Sequence, residues 1–201
     1  MLTIAVLVSG GGTNLQALLD AQKNGDLQSG QIALVISSRE GAYALTRART
    51  AGIKTVVLVK ERGESSNRYG QRLLAVLQTH RADLIVLAGF LHILDACVVH
   101  AYENCVINVH PSLIPSFCGK GYYGLKPHEA ALERGVKITG ATVHLVNDIP
   151  DGGRILAQKA VRVRKGDTPE ILQKRVMRQA EWVLLPAETE KLAYQLCQTR
   201  R

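Results

Sequence analysis

The chain has 201 residues, 46% hydrophobic and 21% charged, a make-up that suits one globular domain with its own core. Its net charge of +8 comes from 25 Lys and Arg against 17 Asp and Glu, scattered, with no long basic block apart from the Arg200-Arg201 end. With only 4% aromatic residues to stack on bases, this charge favours small anionic substrates over nucleic acid, and no charge-free apolar run is long enough to span a bilayer.

In chain order, Thr3–Ser9 is rich in β-branched residues and ends in glycines, so it reads as a first strand. No basic segment precedes it, which argues against a signal peptide. Asn14–Lys23 places Leu15, Leu18 and Leu19 on one helical side. Strands are predicted at Gln31–Ser37, Thr55–Val59, Asp83–Ala88 and Cys105–Val109, with helices at Ala42–Ala51 and Arg68–His80 between them. Near-continuous apolar strands separated by helices suit a sheet covered on both faces. The expected fold is therefore a doubly wound α/β domain, mostly parallel, with a Rossmann-like N-terminal half. One domain over 1–201 is expected, with 1–104 mainly binding phosphate and 105–201 carrying the chemistry.

Beyond His110 the pattern changes. Pro111, Pro115 and the glycines of 119–124 mark a long irregular loop, and a short helix is expected at His128–Glu133. Lys137–Val146 and Arg154–Val163 read as two further strands. Thr168–Cys197 is a long helical stretch with Thr168 as cap and Pro169 at its first position, broken or kinked at Pro186. The four cysteines form no C-x-x-C pair, so no metal site is expected, and a reducing cytoplasm is the simplest compartment.

Two segments carry chemistry. Ser9-Gly10-Gly11-Gly12-Thr13-Asn14 joins the first strand to the first helix, where such a sheet binds phosphate on free N–H groups and the positive helix end. Leu15 stands where a dinucleotide fingerprint needs its third glycine, and no Gly-Lys-Ser/Thr follows. Thr13 and Asn14 add side-chain donors, which suits a single phosphate. A plain tight turn with Thr13 as N-cap is the alternative. A nicotinamide cofactor held through Ser38-Arg39 is another.

Asn108 and His110 lie two apart at the end of an apolar strand and so face the same way, before Pro111 stops the strand. An amide donor and an imidazole at a parallel strand's C-terminal end suit acyl transfer. No nucleophilic Ser or Cys sits in an activating motif, which favours direct attack by a substrate amine. Asp151, in the Ile149-Pro150-Asp151-Gly152-Gly153 turn, would raise the pKa of His110 if it lay beside it. Alone, Asp151 reads equally as a turn aspartate and His110 as a strand-end histidine.

Taken together, VSGGGTNLQALL, DLIVLAGFLHIL, INVHPSLIPSF, HEAALERGVKITGATVHLV, DIPDGG and QAEWVLLP occur in order across nearly the whole chain. They resemble the glycinamide ribonucleotide transformylase family of folate-dependent formyltransferases. The resemblance implies transfer of a formyl group from 10-formyltetrahydrofolate, as co-substrate, to the amine of phosphoribosylglycinamide in purine biosynthesis. It implies Gly12, Thr13, Asn14 and Glu181 on the ribonucleotide. It implies Asn108, His110 and Asp151 at the formyl group, with Asp151 raising the pKa of His110. On the folate side it implies Leu91, His92, Ile93 and Leu94 around the pterin, and Val146 to Pro150 as a loop that includes Asp148. Ser66 stands where the family often has an arginine, with Arg68 two residues on, and His92 stands where the pterin loop commonly has arginine. The loop Phe117–Lys126 is longer than in the shortest members, and its glycines suggest a lid. A formyltetrahydrofolate hydrolase would be expected to carry an extra N-terminal domain, and a methionyl-tRNA formyltransferase an extra C-terminal one. A monomer or homodimer without nucleic-acid or membrane partners is expected.

Overall fold

In the computed structural model, which describes residues 1–199, the first half alternates strand and helix: β1 (Leu2–Val8), α1 (Thr13–Asn24), β2 (Gly30–Ser37), α2 (Tyr43–Thr50), β3 (Lys54–Val57), α3 (Ser66–Thr79) and β4 (Leu84–Leu87). A short α4 (Ala96–Ala101) leads to β5 (Val106–His110). After a long loop come α5 (Lys126–Arg134), the hairpin β6 (Ile138–Leu145) and β7 (Ile155–Arg162), then α6 (Pro169–Val176) and α7 (Trp182–Thr199). The Arg200-Arg201 pair lies outside the described residues.

The strands form one sheet in the order β3-β2-β1-β4-β5-β6-β7. The first five are parallel, and β6 then pairs antiparallel to β5 and to β7. The expected doubly wound, mostly parallel fold is what forms, with an antiparallel hairpin on one edge. Alternation along β1 feeds two cores. Ile4, Val6 and Val8 pack with Leu15 and Leu18 of α1 and Leu185 and Leu192 of α7. Ala5 and Leu7 pack on the opposite face with Leu73 and Leu77 of α3 and Val98 of α4. Each fully buried leucine or isoleucine contributes about 1.5–3 kcal/mol relative to exposure, which outweighs the modest strand and helix propensities of the segments.

Chain order reverses between β1 and β4, so their connections leave in opposite directions and open a crevice at the strands' carboxyl ends. That crevice positions the site. Thr168 caps α6 by accepting from Ile171 N, with Pro169 in the first turn, as expected. Of the break or kink expected at Pro186, the break does not occur: α7 runs on through it. The irregularity lies upstream, where Met177–Glu181 forms a π turn between α6 and α7. The helix α4 went unforeseen, because six residues are too few for a periodic pattern. Its signal was Asp95, whose side chain accepts from Cys97 N at 3.1 Å.

Candidate active site

A cleft of about 740 Å³ opens at the carboxyl ends of β1, β4 and β5. Gly11–Asn14 line one end and Leu91–Leu94 with Val146 and Ile149 the other, while Asn108, His110 and Asp151 stand between.

At the first end, Gly12 is the N-cap of α1 with φ +72, so the plain reading of Thr13 as N-cap is corrected. A Cβ on Gly12 would fall 2.6 Å from Ala44 Cβ, so only glycine fits both the backbone angle and the space. Asn14 Nδ2 donates to Glu181 Oε2 at 2.7 Å, joining this turn to the end of the π turn. Gln173, Met177 and Glu181 all line the cleft. Burial pushes the Glu181 carboxyl up to about 7, against the Asn14 hydrogen bond that favours its charge. Asn14 Oδ1 has no hydrogen-bond partner.

At the centre, β5 and the β6–β7 turn bring the expected trio together. Asp151 Oδ2 lies 3.4 Å from His110 Nδ1, and Asn108 Nδ2 lies 3.5 Å from Asp151 Oδ1. Asp151 holds φ +55, uncommon outside glycine, and its Oδ2 also accepts from Gly119 N at 2.7 Å. A Cβ on Gly153 would sit 1.8 Å from Leu145 O, so the tight turn presenting Asp151 requires glycine there. Burial pushes the Asp151 carboxyl up. The nearby His144 and His110 rings and the Gly119 N–H outweigh it and hold the group below its ordinary value.

His110 is 4% exposed. Its Nε2 lies 2.9 Å from Phe117 O, and a carbonyl only accepts, so Nε2 carries hydrogen and Nδ1 faces Asp151. Phe117 itself sits at φ +52 to present that oxygen. Burial lowers the His110 pKa more than Asp151 and Phe117 raise it, so the net shift is downward. Asp151 pulls the His110 pKa upward as expected, and burial outweighs that pull.

His144 is a site residue the sequence reading missed. Its Nδ1 lies 2.8 Å from Leu145 O and so carries hydrogen, leaving Nε2 to accept from Asn108 Nδ2 at 3.2 Å. The same Nε2 is 3.5 Å from Asp151 Oδ1. The signal was faint: on β6 His144 shares its face with Thr142, two residues earlier, and both are buried.

At the far end, Leu91 N donates to Ser9 Oγ at 2.9 Å, and Ser9 Oγ lies 2.6 Å from Ser38 Oγ. Two buried serines thus hold the 91–94 segment in place, which commits Ser38 to structure. His92 packs against Tyr69 and Phe90, and burial lowers its pKa, helped by Lys60 and Arg39. Ile93 is exposed and Leu94 half-buried. Ser66 and Asp148 are not among the residues lining the cleft. Ser66 sits at the start of α3 and accepts from Lys60 Nζ at 3.2 Å, and Asp148 Oδ2 accepts from His100 Nε2 at 2.9 Å. The loop expected as a lid contributes Gly119–Gly124 to the cleft wall.

Among the described residues no group of three or more His, Cys, Asp or Glu is arranged to hold a metal ion, and no helix is long and apolar enough to cross a membrane.

A family model described as formyl transferase matches residues 2–187. The chain is 40% identical to the chloroplastic phosphoribosylglycinamide formyltransferase of Arabidopsis thaliana, over 87% of this chain and 60% of that protein. It therefore spans less than two thirds of that relative's length. With the phosphoribosylglycinamide formyltransferase of Escherichia coli K12 the identity is 39%, over 89% of this chain and 81% of the relative. The crystal structure of glycinamide ribonucleotide transformylase 1 from Symbiobacterium toebii superposes with a TM-score of 0.90 at 39% identity, covering 97% of this chain and 89% of that one.

Proposed function

The chain belongs to the formyl transferase family, and on that premise we propose that it transfers a formyl group from 10-formyltetrahydrofolate to the glycinamide amine of phosphoribosylglycinamide. The observation that carries this reading is the convergence of Asn108 and His110 on the two oxygens of Asp151, at 3.5 and 3.4 Å, midway along the cleft. The glycine turn with Asn14 and Glu181 is the end suited to the phosphoribosyl group. The apolar end around Leu91–Leu94 and Val146 suits a pterin, and its loops supply backbone groups for the ring's edges.

The amine nitrogen attacks the formyl carbon, a C–N bond forms, and the carbonyl electron pair moves to oxygen. Asn108 Nδ2 donates to that oxyanion. Its contact with Asp151 is long, so the same N–H is available to a better acceptor. His110, neutral at rest because it is buried, is the group in reach that moves a proton from the attacking nitrogen toward the departing one, and the nearby Asp151 carboxylate steadies the imidazolium that forms. His144 fixes the Asn108 amide, accepting one N–H so that the other points forward. Collapse of the tetrahedral intermediate releases tetrahydrofolate and the formylated amide. Ser66 and Asp148, which the resemblance places on the folate side, lie off the cleft wall, and in this proposal they face the donor's outer tail. A cytoplasmic location belongs to the same proposal.

The test is an assay with both substrates beside a control without the ribonucleotide, with the formylated product read by mass spectrometry. Product formation with negligible formate release in the control supports the reading. Formate release of equal rate without the acceptor would overturn it in favour of hydrolysis.

A further inference from the structure

Arg47 lies on α2 and is not among the residues lining the cleft, yet its polar contacts run to the glycine turn and the first helix. Its Nε donates to Gly11 O and its Nη1 to Gln16 Oε1, both at 2.9 Å. The guanidinium also lies over the Tyr43 ring, 5.0 Å from the centroid, which restricts it further. Three residues earlier on the same helix, Ala44 N donates to Gly10 O at 3.1 Å. Two consecutive carbonyls of the turn are therefore held toward α2.

In a trans peptide the N–H points opposite to the C=O of the same unit. Among the described residues the cis bond is Ile114-Pro115, so the glycine turn is trans throughout. Holding Gly10 O and Gly11 O toward α2 turns the N–H groups of Gly11 and Gly12 away from it. Gly11 and Gly12 line the cleft, and Ala44 and Arg47 do not. No backbone or side-chain acceptor in the described residues takes up either N–H. The N–H of Thr13, at the start of α1, has no partner within the helix, so three successive donors stand at a positive helix end. Beside them Asn14, only 8% exposed, carries a side-chain oxygen without a partner on the same cleft wall.

We propose that Arg47 is a positioning residue for the acceptor's phosphate: by holding the Gly11 carbonyl it aims the Gly12 N–H into the cleft, without touching the phosphate itself. The proposal rests on the phosphoribosyl-acceptor reading above. It is a role for the Nε–H bond and not for the positive charge alone, because lysine would place a methylene where Nε stands.

The experiment uses the full chain and ribose 5-phosphate as probe, titrated calorimetrically into wild type, Arg47→Ala and the more conservative Arg47→Lys, each checked by thermal unfolding. Affinity is expected to fall about five- to tenfold in both variants, the scale of one hydrogen bond. In the transfer assay KM for the ribonucleotide should rise by the same factor while kcat and the donor KM stay put. The dephosphorylated riboside should be used by all three proteins alike. Unchanged ribose 5-phosphate affinity in Arg47→Ala overturns the proposal, as does an equal loss on riboside and ribonucleotide, or full recovery in Arg47→Lys. A wild type that binds ribose 5-phosphate but transfers no formyl group would overturn the acceptor chemistry alone, with the Arg47 comparison still decided by the probe.

Discussion

Asp151 Oδ2 faces His110 Nδ1 at 3.4 Å, and the imidazole nevertheless stays below its ordinary pKa, because burial of the ring outweighs the carboxylate's pull. The pair is thus set to hold a neutral base that becomes an imidazolium only when a proton is delivered to it.

Asp151→Asn removes the upward pull and leaves the burial, so the His110 pKa should fall further, read from its ring protons by NMR titration. Formyl transfer should drop about 10²–10⁴-fold, the usual weight of a proton-transfer group. A pKa that stays put on this substitution would show that the carboxylate does not act on the ring.

His128 on α5 is fully buried, neither ring nitrogen has a hydrogen-bond partner among the described residues, and burial lowers its pKa to about 4, with His110 adding to the fall. The unfolded chain takes up this proton near pH 6.5, before the folded one does. The contribution to stability is therefore complete above about pH 6.5 and lost as pH falls toward 4, worth on the order of 3 kcal/mol. His128→Leu should flatten the pH dependence of the urea midpoint across that window. A slope equal to wild type would rule the residue out as its source.

Glu181 works in the opposite sense. Its carboxyl, at about 7 in the fold against 4.5 unperturbed, favours the folded state while protonated, and that benefit is lost as pH rises from 4.5 through 7. Glu181→Gln should accordingly gain stability over wild type at pH 8, on the order of 2–3 kcal/mol, while weakening the ribonucleotide's KM. Denaturant titrations at pH 5 and pH 8 provide the check: an identical difference between the two proteins at both pH values contradicts the assignment.

Gly12→Val forces a branched side chain into a left-handed backbone at φ +72 and its Cβ onto Ala44 at 2.6 Å. The combined strain and overpacking should cost about 2–5 kcal/mol and abolish ribose 5-phosphate binding. A wild-type melting temperature together with wild-type affinity would show that the turn tolerates a side chain.

Much of this was legible in the residues. β1, β2, β4 and β5 are apolar runs bounded by glycine or polar turns, so burial on both faces wrote them into the composition. Asn108 and His110 stood out because polar residues at a strand's end have few structural uses. The order of the strands did not follow from any one segment, since pairing depends on which apolar faces meet. The π turn at Met177–Glu181 was invisible because its sequence is as helical as its neighbours. His144 was hidden by its strand, which reads as uniform β pattern until the hairpin brings it to Asn108. The burial that outweighs Asp151 at His110 escaped for the same kind of reason: a neighbouring charge can be guessed from a motif, but depth of burial is a property of the whole packed domain. The resemblance implies Ser66 and Asp148 on the folate side, yet they hydrogen-bond to Lys60 and His100 and do not line the cleft.

The hydrogen bond from Asn14 to Glu181 spans 167 positions of the chain. A ribosome making this domain therefore delivers the glycine turn well before its buried carboxylate partner. A nascent chain halted after the β6–β7 hairpin would already contain Asn108, His110 and Asp151 but would lack Gln173, Met177 and Glu181 of the cleft wall. Synthesis itself thus withholds a complete cleft until the helical segment after the hairpin has emerged.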